Sequence, residues 1–180
     1  MRRPQNFTLF VLLGIVLDHA TKFWVFTRLR DGEELIVIPD WLQIVRAENR
    51  GVAFSLFHGK TLFILGVSVF ALTLITALYL RIWKTAHPVL IWALGLLMIG
   101  AIGNLIDRLV FGYVRDFIDF LPPLPVIGRW AVFNVADICI TVGVILFLVS
   151  EIFFKEKPAA EPAKPDHPDQ AAGTTATGPH

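Results

Sequence analysis

Four long apolar runs, at 7–26, 61–80, 88–106 and 131–154, decide what this chain can fold into. The hydrocarbon core of a bilayer is about 30 Å thick and takes about 20 helical residues to cross. Each run meets or nearly meets that length. Inside lipid every backbone donor and acceptor must be satisfied within its own segment, which selects helix. Only 17% of the residues are charged, where soluble domains average about 25%. The first run follows Met-Arg-Arg-Pro and has the outline of a secretory signal. It continues past Asp18 and Lys22 to Phe26 without a small-residue cleavage site, so it reads as a retained span. The expected fold is an α-helical integral membrane protein with four transmembrane helices.

The segments between the runs carry their own pattern. In the loop 27–60, residues 35–38 are apolar and largely β-branched, Pro39-Asp40 reads as a turn, 41–47 alternates partly like a strand, and 51–57 returns as an apolar stretch. A small sheet or half-barrel, a β-cradle, is expected on the outer membrane surface. The second outer loop, 107–130, holds Pro122, Pro123 and Pro125, which exclude a regular helix there. The membrane domain is expected over 1–156. The Pro- and Ala-rich tail 157–180 cannot bury a core and reads as disordered.

A net charge of +1 gives no electrostatic case for a nucleic-acid partner. The single cysteine, Cys139, excludes an internal disulfide and reads as a small packing residue. Positive charge leaves the orientation open. Arg2, Arg3, Arg81 and Lys84 favour termini inside, while Arg28, Arg46, Arg108 and others weigh on the opposite side.

Ionisable groups inside apolar segments are costly and tend to be functional. Asp18 and Lys22 are spaced i, i+4 and can pair on one helix face. Asn104, Asp107 and Arg108 crowd one face at the end of the third run. Asp137 lies about two turns into the fourth run, with Asn134 one turn earlier on the same face. Asp116 follows in the second outer loop between apolar neighbours, while Asp119 reads as solvent-facing and His19 as interfacial packing. Asn49-Arg50-Gly51 reads as a turn, or as a place where Asn49 bonds a substrate backbone beside a glycine.

Asp137 needs a companion, and spacing alone does not separate Asp107 from Asp116. Two carboxylates sharing a site hold one proton between them, so one serves as base and the other as acid. Such a pair can activate water and protonate a leaving amine, which is peptide hydrolysis without a cofactor. His19, His58 and His87 are scattered and show no metal-ligand spacing. A proton-coupled transporter would place its acids near the midplane; here they gather toward one face.

The motifs DHATK (18–22), NRGVAFS (49–55), GNLIDRLVFGYVRDFIDF (103–120) and FNVADICI (133–140) together resemble the bacterial lipoprotein signal peptidases, signal peptidase II. The resemblance takes in nearly the whole chain apart from the tail. It implies an aspartic peptidase of the cytoplasmic (inner) membrane, with both termini cytoplasmic and the site near the outer face; a monomer is expected. It implies substrates that are prolipoproteins carrying diacylglycerol on the lipobox cysteine, cut just before that cysteine, and binding of the macrocycle globomycin. It puts the catalytic pair on Asp116 and Asp137. Supporting roles fall on Asp18, Lys22, Asn49, Gly51, Asn104, Asp107, Arg108 and Asn134. His19 departs from the family's usual Gln.

Overall fold

A computed structural model describes residues 4–51, 61–121 and 131–154. The chain order is α1 (Pro4–Arg28), β1 (Leu35–Ile38), β2 (Leu42–Asn49), α2 (Thr61–Ile82), α3 (Pro88–Phe111), β3 (Val114–Phe120) and α4 (Val135–Phe153). All four helices are long and apolar enough to cross a membrane. Their outward faces are apolar too, with Val16 63% and Phe70 65% exposed. Continuous apolar surface of that kind suits lipid rather than water.

The apolar core lies in the half of the bundle remote from the sheet, built on Phe7, Val11, Tyr79, Ile91, Leu94 and Ile99. Phe7 stacks on Tyr79 with centroids 3.8 Å apart. Cys139 packs against this core, as expected. Between α3 and α4 the backbones close up over Gly100, which faces the Ala136 carbonyl and the Ile140 side chain. Lipid supplies no hydrophobic drive for helices to associate, so such close approach through small residues is what holds the pair.

The two largest departures from the expected helix boundaries each have a capping reason. The third run was expected to end at 106, but α3 continues to Phe111. It stops where Gly112 takes φ 79° and donates its N–H to the Arg108 carbonyl. Asn104, Asp107 and Arg108 therefore lie within the helix rather than at its tip. The fourth run was expected to turn helical from 131, but α4 starts at Val135 with Asn134 as its N-cap.

The sheet is antiparallel in the order β1-β2-β3. The β1–β2 hairpin turns at Pro39-Asp40, where Asp40 takes φ 62° and Trp41 N donates to Ile38 O at 3.1 Å. Two strands thus come from the first loop, as expected. The third, β3, comes from the segment after α3, which the sequence reading treated as loop. It pairs with β2 so that Asp116 faces Ala47 and Val114 faces Asn49. The other edge of β3 is tied to the chain entering α4: Phe117 and Ile118 donate to the Phe133 carbonyl at 3.0 and 2.8 Å, and Phe133 N returns to Ile118 O at 3.0 Å. This tie brings Asp116 beside Asn134. The strand expected at 51–57, apart from Gly51, the proline-bearing stretch 122–130 and the tail lie outside the described residues.

Candidate active site

The site is built where α1, α3, β3 and the start of α4 meet. Its base is a buried ion cluster. Lys22 Nζ lies 2.7 Å from Asp18 Oδ2 and 3.2 Å from Asp107 Oδ2, with all three side chains fully buried. Charges at that depth persist only when paired and hydrogen-bonded. Asp18 Oδ1 also accepts from the Ala136 backbone N at 2.9 Å, which places a carboxylate on the donor-rich N-terminus of α4. The pair expected from the i, i+4 spacing is present, and it reaches two further helices.

Above the cluster, two asparagines link two acids. Asn104 donates from Nδ2 to Asp137 Oδ1 at 2.8 Å, and its Oδ1 accepts from Lys22 Nζ at 3.3 Å and Asn134 Nδ2 at 3.1 Å. Asn134 Nδ2 also donates to Asp116 Oδ1 at 2.6 Å. The same Asn134 caps α4 reciprocally: its Oδ1 accepts from Asp137 N at 3.0 Å, and its N–H donates to Asp137 Oδ2 at 3.1 Å. Asp137 is therefore in the first turn of α4, not two turns in, because the helix begins later than the apolar run. Asp116 accepts a further bond from Asn49 Nδ2 at 2.9 Å, and Asn49 Oδ1 accepts from Gly51 N at 3.0 Å.

Asp116 is 2% exposed, whereas Asp137, Asn49 and Arg108 are partly open. Burial, and after it the neighbouring Asp137 carboxyl, push the Asp116 proton affinity up to about 7. Arg108 donates to the Gly51 carbonyl at 3.0 Å and the Asn104 carbonyl at 3.5 Å. Its charge faces Asp137, Asp116 and Asp107, and a guanidinium has more donors than these two bonds use. Asp107 turns away from Arg108 and inward to Lys22 and Arg115. The ten residues expected in catalytic or supporting roles fall in this one assembly.

Three residues were misread or missed. Asp119 is fully buried and accepts from Gln43 Nε2 at 2.9 Å, so it is not solvent-facing. His19 sets Nδ1 3.2 Å from Arg115 Nη2 instead of merely packing. Arg115 stood out only as one cation among several, yet it is buried against Asp107. The one available signal was its place between the apolar Val114 and the candidate acid Asp116.

Residues 10–153 match the family model for signal peptidase (SPase) II. The lipoprotein signal peptidase of Clostridium tetani is 41% identical over 139 residues, covering 77% of this chain and 87% of that protein. That of Chlorobaculum tepidum is 39% identical over 162 residues, covering 84% and 99%. A solved structure described as a bacterial membrane enzyme superposes with a TM-score of 0.72 at 30% identity, covering 86% of this chain and 94% of its own. A multi-pass helical membrane protein matched along most of its length in these ways belongs to the signal peptidase II family.

Proposed function

We propose that this lipoprotein signal peptidase cuts diacylglyceryl-modified prolipoproteins immediately before the lipidated cysteine, using water activated between Asp116 and Asp137. The observation that carries the reading is the asparagine link. It holds carboxylates from two different elements in one network while leaving Asp137 partly open. With the proton affinity of Asp116 raised to about 7, the pair holds one proton near neutral pH. The ionised acid takes a proton from water as it attacks the scissile carbonyl, and the protonated acid donates to the carbonyl oxygen. Collapse of the tetrahedral species then returns a proton to the leaving amine. The reaction so drawn uses no cofactor and no metal.

The supporting residues take distinct parts. Arg108 and Asn49 hold the substrate backbone, with Gly51 allowing its close approach. Asn104 and Asn134 orient the acids, while Asp18, Lys22 and Asp107 fix the frame beneath. The basic N-terminus and the short turn with Arg81 and Lys84 support termini in the cytoplasm of a bacterium. The site then opens at the outer face of the inner membrane, where lipid-anchored substrate is available. The enzyme acts as a monomer and binds globomycin at the same opening.

The test is cleavage of a diacylglyceryl-prolipoprotein by the purified protein in liposomes, read as a gel shift. Wild type should cleave, and folded Asp116→Asn and Asp137→Asn should not. Survival of cleavage in Asp116→Asn, with loss in Asp107→Asn, would move the pair to Asp107 and Asp137. Equal cleavage of a non-lipidated precursor would remove the lipid requirement. Globomycin should raise the thermal midpoint of the wild type.

A further inference from the structure

Asp107 is gripped by Arg115 three times. The Arg115 backbone N–H donates to Oδ2 at 3.0 Å, while Nε and Nη2 donate to Oδ1 at 3.1 and 2.8 Å. Its guanidinium lies over the Phe111 ring at 4.4 Å, so its plane is held as well as its charge. Nη2 also meets His19 Nδ1 at 3.2 Å. An arginine can only donate, so that ring nitrogen is the acceptor. Residue 115 on β3 is thus clamped from the α1 and α3 side. Successive strand side chains point to opposite faces, so the clamp sets where the next residue presents its own. That next residue is Asp116, which meets Asn134 and Asn49.

The charges around the clamp are balanced. Asp18 and Asp107 face Lys22 and Arg115 in the buried cluster. Glu48, opposite Arg115 on β2, is engaged by Arg50 at 2.8 Å. The groups facing Asp116 itself are Asn49 from β2, Asn134 and Asp137 from α4, and the Lys22 and Arg108 charges from α1 and α3.

We infer that Arg115 is a positioning residue for the peptidase reaction, acting through its forked grip on Asp107 to hold β3 and balance the charge beneath Asp116. This rests on the two-aspartate reading above. A planar fork with two donors on one carboxylate fixes direction in a way that the point charge of lysine does not. Loss of the fork lets β3 shift, and misplacement of a reacting group by about 1 Å costs about 100-fold in rate. Loss of the positive charge leaves Asp107 in excess, so the aspartate pair keeps its proton to higher pH. Arg115 itself is not among the substrate contacts proposed above, so the loss falls on kcat more than on KM, with a smaller effect through Asn49, which pairs with β3.

The test uses full-length protein in liposomes and a fluorescent diacylglyceryl peptide, with kcat, KM and the pH profile measured together. Arg115→Gln is expected to lose about 100-fold in kcat with a much smaller change in KM, and its alkaline limb is expected to move to higher pH. Arg115→Lys should restore the limb but only part of kcat. His19→Gln, which keeps an acceptor, should leave both near wild type. A folded Arg115→Gln with wild-type kcat, or with lower kcat and an unmoved limb, overturns the inference. Should Arg115→Gln not fold, Arg115→Lys decides: reduced kcat supports the inference and wild-type kcat overturns it. Asp137→Asn, run beside them, separates the two readings, because cleavage by that variant sinks the aspartate pair whatever Arg115 does.

Discussion

Asn134 donates to Asp116 at 2.6 Å with the same side chain that caps α4 through Asp137. One residue therefore starts a helix and spans the two acids. The two tasks use different atoms, since Oδ1 caps the helix and Nδ2 reaches Asp116. Asn134→Ala should lose both, at about 0.5–2 kcal/mol of stability for the cap. Asn134→Asp keeps an acceptor for the cap but has no donor for Asp116. Its new carboxyl oxygen would meet Asp116 Oδ1 and Asn104 Oδ1 where Nδ2 stood, so near neutral pH thermal unfolding should show Asn134→Asp no more stable than Asn134→Ala despite the retained cap, while peptide cleavage stays low in both. Full activity in Asn134→Asp would refute the bridging role.

The raised affinity of Asp116 carries a signed pH dependence. Its carboxyl holds a proton to about 7 in the fold, against 3.8 for the ordinary group. The folded state thus binds more protons than the unfolded chain across that window, so this group's contribution to stability falls as pH rises through it and is flat above. Asp116→Asn cannot titrate, so its thermal midpoint should decline less over the same range. The variant should also lose about 10²–10⁴-fold in cleavage rate, the usual worth of a positioned acid or base. A midpoint that falls as steeply in Asp116→Asn as in wild type would assign the titration elsewhere.

Lys22 is the shared cation of Asp18 and Asp107 at full burial. Lys22→Met removes it and strands buried carboxylate charge, at about 3–5 kcal/mol. Adding Asp18→Asn removes one of the stranded charges, so the double variant should be more stable than the sum of the singles. Strict additivity of the unfolding free energies would count against the cluster acting as a unit.

Gly103 packs directly on the Asp18 carboxylate, and a Cβ there would meet Oδ2 at 2.6 Å. Gly103→Ala must push Asp18 away from Lys22 and from the α4 N-terminus, at about 1–3 kcal/mol as overpacking. Gly66, with nothing near an added Cβ, is the control: Gly66→Ala should be neutral or mildly stabilising in the same melt.

The spans, the β1–β2 hairpin and the Asp18–Lys22 pair were legible because each depends on local spacing. Asn134 and Asp137 could also have been read as a cap, since Asn followed by an acid three residues on, ahead of an apolar run, is a helix-start pattern. The strand β3 was not legible. Five of its seven residues are buried, so the polar–apolar alternation that marks a half-buried strand is missing, and its partner β2 lies far back in the chain. The burial of Asp119 depends on Gln43, 76 residues earlier, and that of Arg115 on a helix that outlasts its apolar run. Separating Asp116 from Asp107 likewise needed the register of β3, which turns one toward the asparagines and leaves the other beneath.

The bond from Ala136 N to Asp18 joins residues 118 positions apart, the first span to the last. A chain still emerging from the ribosome has Asp18 and Lys22 in place long before FNVAD is made. Until that final segment arrives, Asp116 has no Asn134 beside it and Asp137 does not exist. On the two-aspartate reading, the pair is brought together only once the fourth span has been made, so the order of translation itself delays its assembly.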